Sequence, residues 1–346
     1  MAEFTVSTSP HITLKGNSTR NIMLLVLIAL VPCVIAATLF FGYHVLINVA
    51  VCAVACFFTE YLYGLIAKGN KKLLSSSAMD LSSVVTGVIL ALNLPATMNI
   101  WGLNLTSGQT VLLSGDCIIA CLIGSVFAIV LVKMLFGGIG SNFANPACTA
   151  RIFLFLCFGA AFTSSATNGV LLDAWTGATW LSGNVQTDGD VLINLLVGNT
   201  ASAAVGETCA IAIIASCVFL IAFKVIDWKI PVIVVGGTAV FTTVFAMIDG
   251  MEIGAPLFMD TLAQVLSGGL LFGAVFMATD YATSPNTTLG TVIYAIGIAL
   301  ITSIIRAFAG YPEGMSFAIL IMNIVTPLLD MLIVPKPFGG KVKEGK

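Results

Sequence analysis

Ten apolar runs of about twenty residues constrain this chain more than any other feature. Each is close to the length that an α-helix needs to cross the hydrocarbon of a bilayer. Composition agrees, because only 9% of the residues are charged, whereas about a quarter are charged in a typical soluble protein. The sequence therefore predicts an all-α polytopic membrane protein with about ten transmembrane helices. The runs fall at about residues 21–42, 44–67, 80–99, 110–133, 148–165, 203–224, 230–248, 261–279, 289–307 and 316–334.

The positions of the charged residues predict the orientation. If both termini are cytoplasmic, twelve of the fourteen Lys and Arg residues fall on the inner side, and the two exceptions, Arg151 and Arg306, lie inside apolar runs. Basic residues concentrate on the cytoplasmic side of membrane proteins. The predicted outer loops carry acidic residues instead, namely Asp173, Asp188, Asp190, Asp249, Glu252 and Glu313.

An interval at 166–202 divides the runs into two sets of five. An odd number of crossings gives the second set the opposite topology to the first, which is the arithmetic of an inverted repeat. We therefore expect two inverted five-helix repeats. The predicted organisation is a cytoplasmic segment at 1–20, a first repeat at 21–165, an external loop at 166–202, a second repeat at 203–334 and a cytoplasmic tail at 335–346.

Three stretches look like interruptions of membrane helices, and non-helical backbone at membrane depth is tolerated only against protein or a water-filled cavity. At 137–146, Asn145 is expected to cap a helix that has Pro146 at its first position. At 279–285 we expect a second helix start of this kind, and 206–208 lies at the outer end of the sixth run. Helix capping explains these residue types, and so does contact with an ion, a flavin or a quinone. The candidate contacts are Asn142, Asn145, Arg151, Glu207 and Asp280.

Arg151 lies inside an apolar run, where a permanent charge is costly unless the side chain reaches the interface or is paired. Both a snorkelling side chain and a bound anion or carboxylate partner fit this position.

The nine cysteines all lie within or at the ends of apolar runs, without CxxC pairs. Membrane packing accounts for such thiols. The pairs Cys52/Cys56 and Cys117/Cys121 are each spaced four residues apart on one helix face, so a shared metal is the alternative.

The segment at 173–180 lies in the predicted external loop. Thr179 follows two small residues that let an enzyme backbone and a bulky phosphate approach its hydroxyl. The residue types fit an exposed turn, and they also fit a site of esterification. Trp175 and Trp180 on either side suit headgroup anchors or shields for a flavin ring.

Several motifs together resemble the NqrB/RnfD family, which comprises the D subunits of Rnf ion-translocating ferredoxin:NAD oxidoreductases and, more distantly, the B subunits of sodium-pumping NADH:quinone oxidoreductases. The resemblance covers nearly the whole chain. It rests on Ser9-Pro10-His11, Gly137-Gly138…Asn142…Asn145-Pro146, Asp173…Thr176-Gly177-Ala178-Thr179, Gly206-Glu207-Thr208, 225–231 and Ala278-Thr279-Asp280…Thr283-Ser284-Pro285.

The resemblance implies that Thr179 carries FMN through a phosphodiester, with Asp173, Thr176, Gly177 and Ala178 completing the flavinylation motif. It also implies a second, non-covalent flavin such as riboflavin, a fold similar to urea and ammonium transporters, and a place in the bacterial cytoplasmic membrane. The implied partners are the other proteins of an Rnf complex, which are two membrane subunits (A and E), a flavin-carrying one (G) and two soluble ones (B and C). The lipid bilayer is a further partner, and nucleic acid is not expected.

The function that the resemblance implies is electron transfer between ferredoxin and NAD, coupled by the complex to movement of Na⁺ or H⁺. The chain would then be one subunit of a translocase and would not be active alone. The rival hypothesis is a secondary transporter or channel, because inverted repeats with broken helices are typical of those proteins too.

Overall fold

The helices of this computed structural model account for all regular elements in the part of the chain that it describes, residues 18–68, 80–95, 115–163, 189–198, 204–250, 254–309 and 314–334. The predicted all-α polytopic class is confirmed over these ranges. In chain order the elements are α1 (Thr19–Phe41), α2 (His44–Lys68), α3 (Ser82–Leu92), α4 (Gly115–Val126, continued by the π-helical Phe127–Met134), α5 (Pro146–Thr163), α6 (Gly189–Val197), a 3-10 turn (Val205–Glu207), α7 (Ala210–Ala222), α8 (Lys229–Ile248), α9 (Ala255–Leu266), α10 (Leu270–Phe272, continued by the π-helical Gly273–Met277), α11 (Thr288–Phe308) and α12 (Met315–Leu332).

Six of these elements are long and apolar enough to cross a membrane, namely α1, α2, α4 with its π-helical extension, α8, α11 and α12. The α9 and α10 elements form a seventh if they are taken as one span, bent by 55° at a short break. Each of the ten predicted runs thus contains a helix. The structure differs from the expectation of ten full-length spans at α3 and α7, which are shorter apolar helices, and at α5, where the non-helical backbone of Phe158 shortens the regular apolar helix to Pro146–Gly159.

The short length of α3 has a local cause at its carboxyl end. Asn93 follows the last helical residue, and its amide donates to the Ile89 carbonyl oxygen at 2.7 Å. The next proline, Pro95, has no N–H to continue the helical ladder. The helix in the third apolar run therefore ends at a polar residue before a proline.

The end of α3, the 3-10 turn and the break between α9 and α10 meet in the interior of the molecule. The Val205 N–H donates to the Leu94 carbonyl oxygen at 3.2 Å, which joins the 3-10 turn to the end of α3. A Cβ on Gly206 would lie 2.8 Å from Leu92 Cβ, so only glycine allows this approach. The break between α9 and α10 reaches the same place through Gly269, which contacts the Glu207 side chain.

Two predicted helix starts have different outcomes. Asn145 caps α5 as expected, because its Oδ1 accepts from the N–H groups of Ala147 and Cys148 at 3.0 and 3.2 Å. The start predicted at 279–285 is wrong. The next helix begins at Thr288, capped by the Thr287 hydroxyl, which accepts from the Gly290 N–H at 3.1 Å. A threonine hydroxyl in extended backbone satisfies the first turn, so the upstream proline is left in the connecting loop.

The interval predicted as an external loop, 166–202, contains one described helix, α6. Gly198, just after this helix, has a positive φ of 107° and lies against Phe40 and Thr208.

Candidate functional site

A buried ion pair lies where the end of α3, the 3-10 turn and the break between α9 and α10 meet. Arg151 Nη2, on the second turn of α5, donates to Glu207 Oε1 in the 3-10 turn at 3.1 Å. The two residues are only 6% and 8% exposed. Of the two alternatives for Arg151, the paired side chain with a carboxylate partner is the one observed. The pair joins the fifth helix of the first set to the turn that precedes α7.

Two further side chains bind the Arg151 guanidinium. Its Nη1 donates to Asn93 Oδ1 and to Ser316 Oγ, each at 3.1 Å. Asn93 follows α3, and Ser316 lies in the first turn of α12. A planar guanidinium that binds three partners fixes the relative positions of their backbones, because its donors have a rigid geometry.

A second guanidinium lies beside the break between α9 and α10. Arg306 Nη2 donates to the carbonyl oxygens of Ser267 and Gly268 at 3.0 and 3.1 Å, and its Nη1 donates to the Gln264 carbonyl oxygen. These carbonyl groups lie at the end of α9, where helical partners are missing. Gly268 and Gly269 both have φ of 67°, which a residue with a side chain rarely adopts. We call Asn93, Arg151, Glu207, Gly268, Gly269, Arg306 and Ser316 the central junction.

A cavity of about 320 Å³ lies on one side of the central junction. Four segments that the charge pattern predicts to be cytoplasmic contribute to its lining, which indicates that they lie at the same end of the molecule. We call this the inner cavity. Its lining includes Thr19, Ile22, Ser82, Thr86, Ile89, Lys133, Ile139, Asn142, Asn145, Val225, Phe276, Asp280 and Tyr281.

Three of the predicted contact residues meet at the inner cavity. Asn142 has a buried Oδ1 that no described residue donates to. Asn145 caps α5 and also donates from Nδ2 to the Met277 carbonyl oxygen at 3.1 Å. Asp280 accepts from the Ala282 N–H and the Thr283 hydroxyl in its own turn, at 3.5 and 3.4 Å. Arg151 and Glu207 are instead in the central junction, so the structure separates the five candidates into two groups.

An ion pair that the sequence analysis did not identify lies at the wall of the inner cavity. Lys133 Nζ lies 2.7 Å from Glu60 Oε2 and donates to Ser82 Oγ at 2.7 Å. The sequence placed Lys133 on the inner side, at the end of the fourth apolar run, but did not predict its burial: it is only 2% exposed and lies in the π-helical end of α4. Glu60 lies inside the second apolar run, and a carboxylate within such a run is the signal that could have identified it.

The flavinylation motif, Asp173 to Thr179, lies outside the described residues. Six of the cysteines are buried, including Cys52, Cys56, Cys117 and Cys121. Over the part of the chain that the structure describes, no three His, Cys, Asp or Glu side chains are arranged to hold a metal ion.

Comparison with known proteins extends over almost the entire chain. The model of the NQR2, RnfD, RnfE family matches residues 5–339. The D subunit of the Na(+)-translocating ferredoxin:NAD(+) oxidoreductase complex of Acetobacterium woodii is 39% identical over 98% of this chain and 97% of the relative. The D subunit of the proton-translocating ferredoxin:NAD(+) oxidoreductase complex of Clostridium ljungdahlii is 34% identical over 98% of this chain and 97% of the relative. The chain therefore belongs to the NQR2, RnfD, RnfE family.

Proposed function

We propose that this chain is the membrane electron-transfer subunit of a complex that couples electron transfer between ferredoxin and NAD to the movement of Na⁺ or H⁺. Two relatives are named as D subunits of such complexes, one Na⁺-translocating and one proton-translocating. The chain matches them over nearly their whole length, which supports the same role. It would act as one part of a translocase and would not be active alone.

The observation that carries the flavin part of this proposal is the sequence Asp173-Ala174-Trp175-Thr176-Gly177-Ala178-Thr179. In this proposal the Thr179 hydroxyl provides the ester oxygen of a phosphodiester to FMN. When bound, the isoalloxazine ring supplies the electron-accepting and electron-donating chemistry, and the protein supplies attachment and orientation. A tether also keeps the cofactor from being diluted into an open outer compartment.

A second flavin, such as non-covalent riboflavin, is proposed for the inner cavity. Its volume of about 320 Å³ is at the lower end of the range for small-molecule pockets, about 300–1,000 Å³. The lining is largely apolar with a few polar groups, as such pockets usually are. The buried Asn142 Oδ1 is an acceptor without a donor among the described residues, and a flavin ring carries an N–H donor at its pyrimidine edge.

The proposal also includes the orientation of the chain in the membrane and its partner subunits. Both termini would be cytoplasmic in the bacterial inner membrane, and the A, B, C, E and G proteins of the complex would be the partners. A reporter fused after Lys72 or Lys229 should then read cytoplasmic, and one inserted at 182–190 should read external. A cytoplasmic signal from the 182–190 fusion would contradict the orientation and the outer flavin.

A secondary transporter or channel is the second candidate, because broken helices beside a cavity are also typical of those proteins. The two candidates differ at Thr179. A transporter has no use for an outer hydroxyl in a flavin-transferase recognition sequence, and its purified polypeptide would be colourless.

The decisive experiment is in-gel fluorescence of the denatured polypeptide, because only a covalently held flavin survives denaturation. The wild-type chain and Thr179→Ser should fluoresce, since both retain a hydroxyl, and Thr179→Ala should not. Asp173→Ala should give a mixture of modified and unmodified chains by mass spectrometry, because recognition is weakened while the ester oxygen remains. Fluorescence of Thr179→Ala would contradict the assignment.

The inner-cavity flavin has a separate test. Asn142→Ala should lower the amount of flavin released from the purified complex by denaturation, while the covalent fluorescence at Thr179 stays unchanged. Ser83→Ala is the matched control, because Ser83 Oγ is also buried without a described partner but does not line the cavity. If both variants released the same amount of flavin, the inner cavity would not be the site of the second flavin.

A further inference from the structure

The inner cavity ends at the central junction. Ile89 and Asn145 line the cavity. One helical turn beyond Ile89 is Asn93, whose Oδ1 accepts from Arg151, and Arg151 lies about two turns along the helix that Asn145 caps. A solvated species in the cavity that moved toward the opposite side would therefore meet the Arg151–Glu207 pair first.

Beyond the pair, several buried polar atoms surround the break between α9 and α10. Glu207 Oε2, Gln264 Oε1, Ser267 Oγ and Arg306 Nε have no hydrogen-bond partner among the described residues. Glu207 and Ser267 are more than nine-tenths buried. Glu207 Oε2 and Gln264 Oε1 accept, Arg306 Nε donates and the Ser267 hydroxyl can do either. A bound water satisfies such a combination, since buried waters usually make about three hydrogen bonds.

Water bound to these atoms would create a problem of insulation inside a membrane protein. Water and unpaired oxygen atoms lower the cost of bringing an ion into the interior, because they replace part of its hydration shell. A complex that stores energy in an ion gradient loses it through such a route. The central junction must then contain something that keeps cations out.

The fixed charges of the central junction have the sign for this role. Two guanidinium groups, Arg151 and Arg306, flank one carboxylate, Glu207, so the described groups at this place carry one surplus positive charge. Arg306 is held there by the carbonyl oxygens of Gln264, Ser267 and Gly268. A fixed positive charge in a low-dielectric interior repels a cation strongly, and a pore arginine excludes protons and cations in this way.

We propose that Arg306, together with the Arg151–Glu207 pair, forms an electrostatic plug that admits water but excludes Na⁺ and H⁺. The plug prevents cations from leaking between the inner cavity and the opposite face along the contact between the two sets of helices. Coupled ion movement then follows a route that does not cross the central junction.

The test measures passive ion entry into proteoliposomes that contain the whole complex, without electron donors, under a potential set by K⁺ and valinomycin. Radioactive Na⁺ uptake reports Na⁺, and an entrapped pH dye reports H⁺. Gln264→Glu adds a carboxylate of nearly the same shape on a residue whose main-chain carbonyl oxygen accepts from Arg306, while the main-chain carbonyls that hold the guanidinium remain. We expect this variant and Arg306→Met to raise the leak by about tenfold or more.

Two controls keep the charge separate from packing. Gln264→Met removes the amide without adding charge, and Arg306→Lys keeps the charge. Both variants should therefore show the same passive ion entry as the wild type. Wild-type leak rates in Gln264→Glu would overturn the proposal, and so would equal leaks in Gln264→Glu and Gln264→Met. If Arg306→Met does not assemble, the Gln264 variants decide the question alone. The assay needs no electron flow, so its outcome is independent of the flavin at Thr179.

Discussion

Arg151 and Glu207 are 56 positions apart in sequence, and their side chains form an ion pair of 3.1 Å in the interior of the helical bundle. The pair connects α5 to the turn before α7 and therefore crosses from one set of helices to the other. Taking two charges out of water is costly, and the cost is offset only when the geometry is good and further hydrogen bonds are present. Asn93 and Ser316 provide those hydrogen bonds to the arginine. We infer that the pair fixes the relative position of the two sets.

The first prediction is that Glu207→Gln destabilises the protein more than Arg151→Met does. Loss of the carboxylate leaves two buried guanidinium groups together, whereas loss of Arg151 leaves Glu207 beside Arg306. Removing one partner of a buried pair costs about 3–5 kcal/mol, so Glu207→Gln should lower the midpoint of thermal aggregation strongly in detergent. The control is Asp227→Asn, in an exposed pair with Lys229 at 3.4 Å, where the loss should stay below about 1 kcal/mol. A larger loss in Arg151→Met would contradict this order.

The sequence was sufficient for those features that depend on local pattern. Apolar runs predicted where the helices lie, the Asn145-Pro146 pair predicted the cap of α5, and Arg151 stood out as a charge within an apolar run. The sequence pattern did not identify the partners of that arginine. Glu207, Asn93 and Ser316 come from three separate elements, and only the packing of those elements brings them to one guanidinium.

The same reasoning explains what the sequence did not predict. Lys133 was placed on the inner side at the end of an apolar run, but its burial was not foreseen, because the countercharge is Glu60 from α2 at 2.7 Å. The proline at 285 suggested a helix start, yet the helix begins at Thr288 and is capped by the Thr287 hydroxyl. Pattern alone does not report a countercharge on another helix, nor which of several nearby polar residues forms the cap.

The second prediction concerns the Lys133–Glu60 pair. Lys133→Met leaves the Glu60 carboxylate buried at 2% exposure without its cation, so it should be strongly destabilising, by about 3–5 kcal/mol. The double variant Lys133→Met/Glu60→Met should be more stable than Lys133→Met alone, because the uncompensated charge is gone. The melting midpoints of the purified variants would show the difference. If the double variant melts at or below the single one, charge compensation is not what the pair provides.

The third prediction concerns the contact between α2 and α3. A Cβ on Gly87 would lie 2.6 Å from the Cys52 carbonyl oxygen and 2.7 Å from the Ala53 Cα, both of which are backbone atoms that cannot rotate away. Gly87→Ala should therefore force the two helices apart and cost about 1–3 kcal/mol. Gly236→Ala in α8 is the matched control, because no described atom lies within 4 Å of the added methyl group. It should be neutral or stabilising, since alanine has the higher helix propensity. Equal melting midpoints for the two variants would refute the close contact.

The last prediction separates two roles of Asp280 at the inner cavity. As a turn residue it accepts from the Ala282 N–H and the Thr283 hydroxyl, and an asparagine oxygen can accept in the same way. As a charge it can attract a cation, which an asparagine cannot do. We expect Asp280→Asn to assemble with normal covalent flavin but to move fewer ions per electron in proteoliposomes, measured as Na⁺ or H⁺ uptake during ferredoxin-dependent NAD reduction. Asp227→Asn, an exposed carboxylate in another predicted inner loop, should retain full coupling. Wild-type coupling in Asp280→Asn would reduce this carboxylate to a turn residue, and the ion contact would have to be sought among the other groups of the complex.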